Sequence, residues 1–147
     1  TGPSAAQVVW NQAGQGDQLF VAASWPVRHL EAHAGTRNGL QVFGNRGANG
    51  IDGLISTATG VAIGTQKRTV LLMGDIAFLH DLGGLNLGEG QEQPNLTIVV
   101  LDNNGMAGKM KGGLGIEYIC AMAYFRLRSI VPGYVLKALL ISLKEVW

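Results

Sequence analysis

Asp75 and Asn103 are the residues of this 147-residue chain whose types and spacing best suit chemistry. Asp75 closes "MGD" and Asn103 falls in "LDNNG", each at the end of a short apolar run. A carboxylate, an amide oxygen and a backbone carbonyl left open by a turn are hard oxygen donors. Magnesium selects such donors and completes its shell with water and a phosphate-bearing substrate. Each feature also has a simpler reading. Asp75 suits the N-cap of the helical run that follows it, and Asn103-Asn104-Gly105 suits an ordinary turn.

A second candidate is Arg46, set in "FGNRGANGIDG" at residues 43–53, a stretch with four glycines, two asparagines and one arginine. The glycines suit a tight turn with close backbone approach. A guanidinium in such a setting has little to pack against, and its planar fork matches a carboxylate bidentately, where lysine offers only a point charge.

The elements that must position these groups alternate along the chain. Helical patterns are expected at 4–13, 27–34, 51–63 and 77–87, and strands at 19–23, 40–43, 69–73 and 96–101. Strands apolar on both faces and separated by helices predict an α/β fold, a three-layer parallel sheet with helices on both faces. Right-handed crossovers bring every strand C-terminus to one edge, where such sheets bind ligands. The glycine-rich turn, Asp75 and Asn103 all fall on that edge.

Composition narrows the function. At 47% hydrophobic and 14% charged residues, the chain has enough apolar content for a sizeable core. A net charge of +1 with no basic run argues against nucleic acid as a partner. Arg126 and Arg128 interrupt the longest late apolar run, so no membrane span is expected. The lone Cys120 and the lack of a leader pattern at Thr1 predict a cytoplasmic setting, and the missing initiator methionine predicts a fragment of a longer protein. The Asn95-Leu96-Thr97 sequon opens a strand-like run and is read as unused.

Gly74-Asp75, followed about thirty residues later by Asn103-Asn104, resembles the thiamine-diphosphate signature Gly-Asp-Gly…Asn-Asn, with Ile76 in place of the third glycine. "NRGANGIDGLISTATGVAIG", "VLLMGDIAFLHDLGGL" and "LFVAASWPVRHLE" are similar to the 2-succinyl-5-enolpyruvyl-6-hydroxy-3-cyclohexene-1-carboxylate (SEPHCHC) synthase family, the MenD family of menaquinone biosynthesis. The resemblance covers about residues 18–105.

It implies a diphosphate-binding domain of a thiamine-diphosphate-dependent transferase that decarboxylates 2-oxoglutarate and adds the succinyl carbanion to isochorismate. By that resemblance Asp75, Asn103 and the Gly105 carbonyl hold magnesium or manganese against the diphosphate. Gly74 lets the backbone approach it, and Ile51 and Ile76 contact the cofactor, with Ile51 propping its bent form. Ser24, Arg28 and Arg46 take substrate carboxylates; read without the resemblance, Arg28 suits a surface salt bridge. The catalytic glutamate is expected from the pyrimidine-binding domain of a partner subunit in a homo-oligomer. No catalytic residue is expected within this chain, and by itself it is expected to be inactive.

The resemblance stops after Gly105. Residues 1–105 are read as the diphosphate and metal-binding domain and 106–147 as a divergent tail. In that tail Val135, Leu136, Leu139, Leu140, Leu143, Val146 and Trp147 recur at helical spacing. Other signals fit poorly. "GNRGANG" is not G-x-G-x-x-G, "GMAGKM" lacks the hydroxyl of a P-loop, and His29 and His33 do not follow the zinc-protease order. His80 is read as supporting or capping. The alternative function is a noncatalytic α/β binding domain descended from a thiamine-diphosphate enzyme.

Overall fold

The computed structural model describes residues 2–47 and 50–102, together with the backbone of 137–142. The elements run α1 (Gly2–Gln12), β1 (Gln18–Val21), α2 (Trp25–His33), β2 (Gln41–Phe43), α3 (Leu54–Thr65), β3 (Thr69–Gly74), α4 (Asp75–His80), a 3-10 turn (Leu82–Leu85), β4 (Leu96–Asp102) and β5 (Lys137–Ser142). All strand pairs are parallel, in the order β2-β1-β3-β4-β5.

Handedness explains the layers. The step from β1 to β2 moves one way across the sheet, and the step from β2 to β3 moves back past β1. Right-handed crossovers in opposite directions put their helices on opposite faces. Accordingly, α2 joins α1 on one face, where Ala6, Val9 and Leu30 pack on Leu19, Leu72 and Val99. On the other, Leu54, Ile55, Ala58 and Phe78 of α3 and α4 pack on Phe20, Leu71 and Ile98. Alternate residues of each strand serve the two faces, which is why β1 is buried along its whole length. The three-layer α/β architecture expected from the apolar strands is the one observed.

The chain reverses direction between β1 and β3. In doubly wound sheets of this order, the crevice for ligands opens there, outside the strand C-termini.

At the opposite edge, Gln18 is fully buried and stitches three elements together. Its Oε1 accepts the hydroxyls of Thr65 (2.8 Å) and Thr69 (3.1 Å), and its Nε2 donates to Gln41 Oε1 (3.3 Å). Gln18→Ala leaves a void and removes these partners, so it is expected to cost about 1–3 kcal/mol. Urea denaturation should show a lower midpoint with an unchanged slope.

Several boundaries differ from expectation. The helix expected at 51–63 starts at Leu54, because Gly53 adopts φ 69 and cannot continue a right-handed helix backwards. The helix expected at 77–87 begins at Asp75, ends at His80 and tightens into the 3-10 turn. In the tail, the helical spacing expected across 135–147 meets a strand at Lys137–Ser142, paired with β4 from Thr97↔Lys137 to Asp102↔Ser142. A short apolar run reads as helix or strand equally well from periodicity. The outer edge of β4 supplies the backbone partners that decide it. The rest of the tail lies outside the described residues. Among the described residues, no helix is long and apolar enough to cross a membrane.

Candidate functional site

The loops at the C-terminal edge carry the expected site residues in a row. Arg46 follows β2, Ser24 and Arg28 follow β1, and Gly74, Asp75 and Ile76 end β3 and open α4. Two inter-strand spacings from β2 to β3 make that row about 10 Å long. Asn103 and Gly105, the other expected metal ligands, lie outside the described residues.

Asp75 is the first residue of α4 and only 6% exposed. Its Oδ1 accepts the N–H of Ile76 at 2.9 Å. The N-cap itself is Gly74, which makes no side-chain cap, so the simpler reading of Asp75 as an N-cap does not describe it. Asp102 ends β4 and is 4% exposed. Because Gly74 and Leu101 are register partners, Asp75 and Asp102 each stand one step beyond a paired position. Two buried carboxylates therefore lie at the ends of neighbouring strands. Among the described residues no group of three or more His, Cys, Asp or Glu side chains is placed to hold a metal.

Ile51 and Ile76 are large apolar side chains left exposed, at 39% and 36%. Ile51 lies in the loop before α3, and Ile76 in the first turn of α4. A Cβ added at Gly74 would meet nothing within 4 Å, so the backbone there is open to close approach.

Ser24 holds φ 73 and ψ −136, a backbone conformation that a non-glycine residue adopts only under constraint. It precedes α2, where Pro26 fixes the first turn, and its hydroxyl makes no cap to the helix. Arg28 is exposed, with its guanidinium 6.0 Å from the ring of Trp25. Arg46 stands 4.0 Å from Glu31, both side chains well exposed, a pair of small energetic weight. Arg46 also borders a groove of about 470 Å³ whose apolar wall includes Trp10, Val27, Leu30 and Phe43.

His29 stacks on Trp25 with ring centroids 5.4 Å apart. Gly2 of α1 lies against the same ring, so that a Cβ there would fall 2.5 Å from Nε2. Burial, and then the charge of His33, lower its pKa from the ordinary 6.5. A lowered histidine pKa means that the unfolded chain binds the proton more readily. Its contribution is therefore intact above pH 6.5 and is lost as pH falls from there towards the folded pKa. His29→Gln is expected to flatten the acid side of the stability curve, measured as urea midpoints at successive pH values.

Two supporting residues escaped sequence reasoning. Asp81 Oδ1 accepts the Gly53 N–H at 3.0 Å, and Oδ2 the Ile55 N–H at 2.6 Å. Asp52 Oδ1 receives His80 Nδ1 at 2.8 Å. The supporting role expected of His80 is thus one of pairing, while the capping falls to Asp81. The only sequence signal was the acidic residue next to His80 in "FLHD".

The chain is thus a doubly wound parallel α/β domain with two buried acids and two exposed isoleucines near the C-terminal ends of its strands. No family model matches the chain. It is 47% identical over 106 residues to the SEPHCHC synthase of Nocardia farcinica, covering 71% of this chain and 19% of that protein. The synthase of Thermobifida fusca is 49% identical over 94 residues, covering 61% and 17%. That of Chlorobaculum tepidum is 48% identical over 104 residues, covering 69% and 18%. The chain resembles a segment of the SEPHCHC synthase family, and it spans about a fifth of the length of the curated relatives it matches.

Proposed function

We propose that the chain supplies the diphosphate and magnesium side of a thiamine-diphosphate-dependent SEPHCHC synthase of menaquinone biosynthesis. In this reading the complete enzyme decarboxylates 2-oxoglutarate and joins the succinyl unit to isochorismate in the cytoplasm. The observation that carries it is the pair of buried acids, Asp75 and Asp102, beside the sheet's reversal point, in a chain similar to those synthases.

The donor chemistry fits the group. Asp75, joined by Asn103 and the Gly105 carbonyl, would hold magnesium or manganese. Gly74 leaves room for a diphosphate, and Ile51 and Ile76 offer the cofactor's rings exposed apolar surface. When bound, thiamine diphosphate supplies the electron sink for loss of carbon dioxide and for carbon–carbon bond formation. The chain's own residues bind and orient. Arg28 and Arg46 meet the carboxylates of the two dicarboxylate substrates, each charge-assisted bond contributing about 1.5–3 kcal/mol, and Ser24 offers an uncommitted cap hydroxyl beside them. The catalytic glutamate comes from the pyrimidine-binding domain of a partner subunit in a homo-oligomer, so the chain by itself turns over neither substrate.

Calorimetric titration with thiamine diphosphate, with and without magnesium, tests the reading. Heat that appears only with magnesium is the expected result. No heat in either condition would sink it and favour a noncatalytic α/β binding domain of the same descent.

A further inference from the structure

We infer that Asp81 is a positioning residue for the cofactor site, tying the segment that carries Ile51 to the helix that carries Asp75 and Ile76. The inference rests on the reading above, in which those three residues serve thiamine diphosphate. Ile51 lies in the loop ahead of α3, whereas Asp75 and Ile76 open α4. The exposed Asp52–His80 pair ties this loop to α4 at one point. The N-cap of α3 is Gly53, in the left-handed region and without a side-chain cap.

The carboxylate of Asp81 takes that place from the far end of α4. It accepts the Gly53 N–H at 3.0 Å and the Ile55 N–H at 2.6 Å, one on each oxygen, across 28 and 26 residues of sequence. Its own N–H is bonded to Ala77 O at 3.1 Å, so the acceptor moves with α4. Two bonds from one planar group fix both the height and the rotation of the first turn of α3. Gly84 seats the same turn independently. A Cβ there would fall 2.9 Å from Ile55 Cβ and 3.0 Å from Ser56 Oγ, so the 3-10 turn lies directly on the start of α3. Both oxygens of Asp81 are engaged by backbone N–H groups, and in this reading it acts through Ile51.

Asp81→Asn tests this, since the amide keeps the shape but turns one acceptor into a donor facing an N–H. Asp17→Asn is the control. Asp17 Oδ2 likewise accepts a backbone N–H, that of Gly14 at 2.6 Å, and pairs with Arg68 at 2.7 Å, but at the opposite edge of the sheet. Amide hydrogen exchange of the ligand-free chain should quicken at residues 51–56 in Asp81→Asn and not in Asp17→Asn. Thiamine diphosphate affinity, titrated calorimetrically with magnesium, should fall about tenfold or more in Asp81→Asn only. Equal affinity in Asp81→Asn and wild type overturns the inference, as does an equal loss in both variants, which would reflect stability alone. Failure of the wild type to bind overturns the underlying cofactor reading and the inference with it, whereas an unchanged Asp81→Asn affinity overturns the inference alone.

Discussion

Asp75→Ala is expected to abolish magnesium-dependent binding of thiamine diphosphate while leaving the fold in place. The carboxylate is buried at the end of β3, next in register to the buried Asp102. Magnesium bound by few protein ligands depends heavily on each carboxylate. Removing one charged partner from a buried site costs about 3–5 kcal/mol, a factor of about a hundred or more in affinity. Stability moves far less. The variant loses the acidic group in the first turn of α4 and its bond to the Ile76 N–H, a cost of about 0.3–1 kcal/mol. Calorimetry and thermal melts of the ligand-free chain separate the two effects. Retained binding would remove Asp75 from the site, and a collapsed melt would make its role structural.

The fold was legible where burial leaves one solution. β1, β3 and β4 are apolar on both faces, and only a sheet covered on both sides accepts such strands. The ends of elements were less legible. Gly53 stops α3 at Leu54 through a left-handed backbone that composition alone does not dictate. Residues 137–142 pair with β4 because a strand edge lay open to them, a fact absent from their own periodicity. In the site, Asp75 stood out as an oxygen donor closing an apolar strand, and Arg46 because the glycines around it leave its side chain little to pack against. Asp102 was hidden at the end of an apolar run, and its burial became visible only with the register to β3. The Asp81 bonds to Gly53 and Ile55 join segments that meet only after α3 has packed, so no local pattern announces them.

Two residues of α4, two positions apart, separate stability from ligand binding. Phe78 is 1% exposed and lies in the core formed with Phe20, Leu71, Met73 and Leu85. Ile76, two positions earlier and so on the opposite side of the same six-residue helix, is 36% exposed. Phe78→Ala deletes a buried ring whose space its neighbours cannot fully reclaim, at about 3–5 kcal/mol. In a domain of this size that lowers Tm by roughly 10 °C. Ile76→Ala truncates a side chain that is over a third exposed and is expected to cost about 1 kcal/mol, well below Phe78→Ala. In the proposed cofactor reading its effect should fall on thiamine diphosphate affinity instead, because Ile76 is an exposed apolar residue at the start of the helix that Asp75 opens. Thermal melts of both variants, beside a magnesium-dependent titration of Ile76→Ala, measure the contrast. A large melt shift for Ile76→Ala would show that α4 presents the other side to the core. Unchanged affinity with unchanged stability would leave Ile76 an ordinary exposed residue and confine the apolar contact to Ile51.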